Sequence, residues 1–169
     1  MSAPSMSAES AATAVAQDAV EAARRGDVPA LERALDFGLS PDARTASGDS
    51  LVMLAAYHGH AEATRLLLAR GADPELRNDR EQTPLAGAAF KGHLAVIERL
   101  LAGGAQVDGA GPDGRTPLMF AAMFNRAEAV RALLRAGARP ERASADGQTA
   151  RELAEAMGAV EAAALLREL

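Results

Sequence analysis

The chain has 169 residues and a formal net charge of −5, which argues against nucleic acid as its partner. Hydrophobic residues make up 49% of it but aromatics only 3%, with no Trp, so the core must come from Ala and Leu on closely packed helices. There is no Cys, which excludes disulfides, thiolate catalysis and a Cys-ligated zinc.

Residues 1–12 are a low-complexity run of Ser, Ala and Pro, expected to be disordered or to fray into the first helix. They lack the basic start and apolar run of a secretion signal. Nowhere do 18 apolar residues follow one another, so no membrane span is expected, and a cytoplasmic protein, monomeric when free, is the reading. A helical pattern runs from about Thr13 to Arg25 and breaks at Gly26–Asp27. Pro29 then sits in the first turn of a second helix reaching about Phe37, and Gly38 ends it.

From there the pattern repeats. Ser50, Thr83, Thr116 and Thr149 are spaced by 33 residues and cap the first helix of each unit. The same period carries Ala22–Ala23, Ala55–Ala56, Ala88–Ala89 and Ala121–Ala122, where a neighbouring helix can approach closely. It also carries Gly38, Gly71, Gly104 and Gly137, which stop the second helices. A period of roughly 20 to 50 residues is the signature of a stacked solenoid. The expected architecture is all-α: a tail of 1–12, then antiparallel helix pairs in units 13–44, 45–77, 78–110, 111–143 and 144–169. The outer two units are read as caps. Arg167 stands where Leu68, Leu101 and Leu134 stand in the inner units and gives the end of the array a polar face.

Three stretches carry a family resemblance: GDSLVMLAAYHGHAEATRLLLARGADP from Gly48, QTPLAGAAFKGHLAVIERLLAGGA from Gln82, and GRTPLMFAAMFNRAEAVRALLRAGA from Gly114. They resemble the ankyrin repeat, and the resemblance extends from about Thr13 to Leu169. Seventeen Arg against one Lys, with the Ala excess, fit the coding bias of a GC-rich bacterial genome. The resemblance implies a stacked helical array that binds another protein without catalysis. It does not imply which protein, because function resides in the site and not in the fold.

Several positions depart from the family pattern. The His usual two residues after Pro is replaced by Met53, Ala86, Met119 and Glu152, so looser coupling of turn to helix is expected. Glu81 stands at a turn position held elsewhere by Gly48, Gly114 and Gly147, which predicts strain or a different turn. Gly87 and Phe120 replace the Leu of Leu54 and Leu153. The expectation is that a buried Phe120 leans onto the Gly87 backbone and fills the void.

Candidate site residues follow from the rarity of aromatics. Tyr57, Phe90 and Phe124 fall at the ends of the first helices of three successive units, with Met123 completing the series and His58 and Lys91 beside them. In the resembled family such positions face the concave groove. Tyr57, His58, Phe90, Lys91, Met123 and Phe124 are therefore expected to form a partner-binding stripe, since interface centres are rich in aromatics, Met and cations. The plainer alternative is that the rings only shield neighbouring helices. Arg44, Arg77, Arg80 and Arg115 border the stripe as a basic rim suited to an acidic partner patch, or are simply solvated turn tips.

His60 and His93 are assigned to the starts of second helices, where the family uses His structurally. His58–Gly59–His60 looks like a metal pair, but the glycine break spoils the spacing helical ligands need, and no third ligand follows. No metal or other cofactor is expected, nor any catalytic residue. The reading is a protein-binding module: an adaptor, an inhibitor, or an immunity- or chaperone-type binder. The alternative is an enzyme or small-ligand binder with a cryptic site near His58 and His60.

Overall fold

A computed structural model describes residues 5–169. Among these residues there are ten helices and no β-strand. They are α1 (Ala8–Arg25), α2 (Val28–Asp36), α3 (Leu51–Tyr57), α4 (Ala61–Ala69), α5 (Pro84–Lys91), α6 (Leu94–Ala102), α7 (Pro117–Met123), α8 (Ala127–Arg135), α9 (Ala150–Ala156) and α10 (Val160–Arg167). The odd-numbered helices pack on one another in sequence, and the even-numbered helices form a second layer behind them. Among the described residues the only β pairing is two isolated antiparallel bridges, Arg44 with Ser50 and Ala143 with Thr149, which tighten turns.

Helix α1 begins at Ala8, earlier than the expected Thr13, because the Ser7 hydroxyl accepts the Ser10 amide at 3.1 Å and caps it. The part of the tail before residue 5 lies outside the described residues.

Periodic capping positions each unit's first helix. The hydroxyls of Ser50, Thr83, Thr116 and Thr149 accept the amides of Met53, Ala86, Met119 and Glu152 at 3.1, 3.2, 3.3 and 3.3 Å. Each such cap is worth about 1 kcal/mol. In the last unit Glu152 returns the bond, its carboxylate accepting the Thr149 amide at 2.8 Å. Ala86 has no group with which to do so.

The core follows the same register. Leu31, Ile97 and Val130 are fully buried at equivalent places in the second layer, as is Thr64, whose hydroxyl donates to the His60 carbonyl at 2.8 Å. Leu67, Leu100 and Leu133 form the adjacent buried row. The Ala pairs of the first four units are fully buried, so small side chains do set the helix spacing. In the last unit the second Ala is replaced by the exposed Glu155, which accepts from Arg167 Nε at 3.0 Å. The polar end face expected at Arg167 is thus an exposed ion pair, the kind that contributes little energy but keeps the surface wet.

Units are also stapled together. His60 Nε2 lies 2.8 Å from the Arg24 carbonyl, His93 Nε2 lies 3.1 Å from the Tyr57 carbonyl, and Arg126 Nε donates to the Phe90 carbonyl at 3.1 Å. A carbonyl only accepts, so each His ring carries its proton on Nε2. These side chains lie against Gly26, Gly59 and Gly92. A Cβ at Gly59 would come within 2.8 Å of the His93 ring, and one at Gly92 within 2.8 Å of Arg126. The glycines therefore serve twice, for a left-handed turn and for close approach.

Candidate functional site

The last turns of α3, α5 and α7 bring the predicted stripe together. Tyr57 and Phe90 stack nearly parallel, with ring centres 6.4 Å apart. Phe90 meets Phe124 edge to face at 4.4 Å. Lys91 Nζ lies 5.1 Å from the centre of the Tyr57 ring, a cation–π contact, and His58 meets the same ring edge-on at 5.4 Å. Phe90, Met123 and Phe124 are half-buried, while Tyr57, His58 and Lys91 are exposed.

The register of this ladder differs from its simplest reading. Met123, not Phe124, stands 33 residues after Phe90, and Phe124 is the counterpart of Lys91 and His58. The Phe124 ring still reaches Phe90 because it occupies the C-cap, just beyond the end of α7. Extending the register upstream places Arg24 in line with Tyr57, a residue the aromatic pattern alone passes over.

The ladder borders a cavity of about 340 Å³. Met53, Tyr57, Gly87, Phe90 and Phe120 line its apolar part, and Arg24, Asn78 and Arg80 are among its polar lining. Gly87 adds no side chain to its wall. The compensation expected from Phe120 is not found: Phe120 is half-buried rather than buried. A Cβ on Gly87 would have only Met53 Sδ and Tyr57 Cδ2 within 4 Å, each at 3.7 Å, and no atom of Phe120. Phe120 packs partly buried against the core and lines the hollow together with Gly87.

The four turn arginines divide into two kinds. Arg44 donates to the Arg77 carbonyl at 3.2 Å, and Arg77 to the Ala110 carbonyl at 2.6 Å, so both tie one turn to the next. Arg77 also faces Glu81 at 3.8 Å. Among the described residues the Arg80 and Arg115 side chains make neither an ion pair nor a hydrogen bond, and both line a second hollow of about 350 Å³ that adjoins the first. The Arg80 turn is fixed from below by buried Asn78, whose side-chain oxygen accepts the amides of Arg80 and Gln82 at 3.0 and 3.1 Å. Asn78 is a further site-building residue with no signal in the motif itself.

Within that turn Glu81 adopts φ 59°, the same left-handed conformation as Gly48, Gly114 and Gly147. Its amide donates to the Asn78 carbonyl at 2.9 Å, as the Gly114 amide does to Gly111. The turn type is therefore kept and the residue is strained.

The local field is positive. Burial first, then the nearby His60, Arg24 and Lys91, hold the His58 imidazole below its ordinary range. The rings of His58 and His60 are 6.4 Å apart, and the Nε2 of His60 is engaged by the Arg24 carbonyl. Among the described residues no three His, Cys, Asp or Glu side chains converge as a metal-ligand set. No helix among them is long and apolar enough to cross a membrane.

Comparison with known families agrees with the geometry. The family model described as ankyrin repeats (3 copies) matches residues 19–111 and, in a second alignment, 88–169. The chain belongs to the ankyrin repeat family. A Pseudomonas aeruginosa protein named for its ankyrin repeats is 56% identical to it over 43 residues, which are 25% of this chain and 25% of that protein. The alignment thus spans about a quarter of the curated relative. Ankyrin repeats are generally protein–protein interaction modules and typically lack enzymatic activity.

Proposed function

We propose that this ankyrin array binds one partner protein, without catalysis, through the stripe Tyr57, His58, Phe90, Lys91, Met123 and Phe124, with Arg80 and Arg115 as its basic rim. The observation carrying this reading is the unbroken ladder of rings across three units, from Tyr57 to Phe90 to Phe124. It leaves Tyr57 39% exposed in a chain with only five aromatic residues. Rings held rigid by their neighbours lose little entropy on docking. Arg44 and Arg77 are assigned to holding the turns, and their contribution to binding is indirect. An adaptor, an inhibitor, and an immunity- or chaperone-type binder in the cytoplasm are all served by this surface.

The test is capture of the partner from the native cell, followed by calorimetry. Tyr57→Ala, Phe90→Ala and Phe124→Ala should each weaken binding, by about 2 kcal/mol where the ring is a hot spot, while the array still melts cooperatively. Unchanged affinity in all three would sink the reading.

A further inference from the structure

The glycine at position 87 has no backbone reason to be there. It lies inside α5 at an ordinary φ, and an added Cβ would meet only normal contacts at 3.7 Å. Gly in a helix interior is unfavourable relative to Ala. Its bareness leaves room in the cavity of about 340 Å³ that it lines together with Met53, Tyr57, Phe90 and Phe120. That volume lies at the small end of the roughly 300–1,000 Å³ of ligand pockets.

Arginines and acids line the two hollows in equal number, Arg24, Arg80 and Arg115 against Asp49, Glu81 and Asp113, but the three acids are each engaged within the chain. Asp49 accepts from Asn78 Nδ2 at 2.9 Å, Asp113 from the Arg115 amide at 3.0 Å, and Glu81 faces Arg77 at 3.8 Å. Arg80, which lines both hollows, and Arg115, which lines the second, have no such partner among the described residues. The second hollow shares Arg80, Gln82, Ala86 and Phe120 with the first, so the two adjoin.

We propose that the Gly87 cavity takes one large apolar side chain, Leu, Met or Phe, from an extended acidic segment of a partner protein, whose neighbouring carboxylates pair with Arg80 and Arg115. Gly87 is thus the specificity-determining position of the groove. The proposal rests on the partner-binding reading above and adds the chemistry of the segment recognised. An apolar pocket selects by side-chain size, and cations that are free before docking select the sign of the flanking charge and quicken association.

A displayed library of random 12-residue peptides, panned on the full chain, tests it. Peptides selected on the wild-type chain should share Leu, Met or Phe beside Asp or Glu. Their affinity should fall about tenfold or more for Gly87→Leu, which fills the cavity, and by less for Gly87→Ala. Arg80→Gln should weaken them several-fold, and that loss should shrink as salt rises. Thermal melts establish that the variants are folded, and Gly87→Ala supplies the readout if Gly87→Leu is not.

Peptides that bind both Gly87 variants as tightly as wild type, yet are weakened by Phe124→Ala, would overturn the pocket and leave the groove standing. Peptides indifferent to Gly87, Tyr57 and Phe124 alike would overturn both readings. A basic consensus, failure to enrich any peptide, or tight binding of free 3-phenylpropionate with no peptide binding would also overturn the proposal.

Discussion

His93 Nε2 lies 3.1 Å from the carbonyl oxygen of Tyr57, so the residue that starts the aromatic stripe is held by the unit that follows it. One hydrogen bond thereby links the spacing of two units to the spacing of the rings Tyr57 and Phe90. A net hydrogen bond contributes about 1 kcal/mol, and His93→Ala should cost at least that, since the buried part of the ring is lost as well. A chemical denaturation series would measure it. His93→Gln retains an N–H donor and should recover part of the loss.

The same ring makes stability depend on pH. Burial above all holds the folded His93 below its ordinary value of 6.5, against the opposing effect of its bond to Tyr57. His58 is lowered in the same way. As pH falls below about 6.5 the unfolded chain takes up protons before the folded one. Stability is therefore complete above that value and declines as pH drops towards the folded pKa values. Melting curves between pH 8 and pH 5 should show Tm falling on the acid side, with a shallower fall in His93→Gln. A Tm that rises on acidification would contradict the assignment.

Gly87→Ala should stabilise the chain by roughly 0.5–1 kcal/mol, the ordinary gain in a helix interior. The sequence pattern alone predicts a void at this position that Phe120 fills. In the structure the added Cβ meets only Met53 Sδ and Tyr57 Cδ2, each at an ordinary contact distance of 3.7 Å. Denaturant titration decides the sign, and destabilisation would mean that Phe120 closes over Gly87 in solution.

The array was legible in the residues because its signals are local and repeated. Thr83 and Thr116 cap where their spacing says they should, and Ala88 and Ala89 vanish into the helix contact. The stripe was legible as a set of residues, and counting by the period gives its register, but not the contact between the rings of Phe90 and Phe124. Phe124 stands one place beyond the repeat equivalent of Phe90, and only the course of the chain past α7 brings the two rings together. The cavity was not legible. Whether a large residue fills the space beside a small one depends on the distance and angle between adjacent helices, which the period does not encode. The period does set Arg77 with Arg44, 33 residues earlier, and each donates to the carbonyl one period on, but it carries no sign that Arg80 is left without a partner among the described residues.

Glu81 offers a test of stored strain. A left-handed conformation costs a non-Gly residue about 1–2 kcal/mol, against which Gly loses more chain entropy on folding. Glu81→Gly should therefore stabilise by up to about 1 kcal/mol. Loss of its exposed pairing with Arg77 changes little. Gly114→Ala, at the equivalent place, should do the opposite, because its Cβ would also come within 2.9 Å of the Ala145 amide nitrogen. Equal melting temperatures for wild type, Glu81→Gly and Gly114→Ala would remove the argument.

Asn125 holds the last unit in place by a different means. It takes the turn position of Gly59 and Gly92 at φ 56°, which Asn tolerates better than most side chains. Helix α10 has Ala159 at its N-cap and receives no side-chain cap from it. The Asn125 side-chain oxygen supplies one from the preceding unit, accepting the Ala162 amide at 3.0 Å. Two variants separate the roles. Asn125→Gly keeps the turn and loses the cap, so it should cost about 1 kcal/mol. Asn125→Ala loses the cap and adds left-handed strain, so it should cost about 2 kcal/mol or more. Hydrogen exchange should localise the damage to α10, leaving α3 to α6 protected as before, because each unit contacts only its neighbours. If Asn125→Gly is as stable as wild type, or exchange rises evenly along the array, the cross-unit cap does not hold α10.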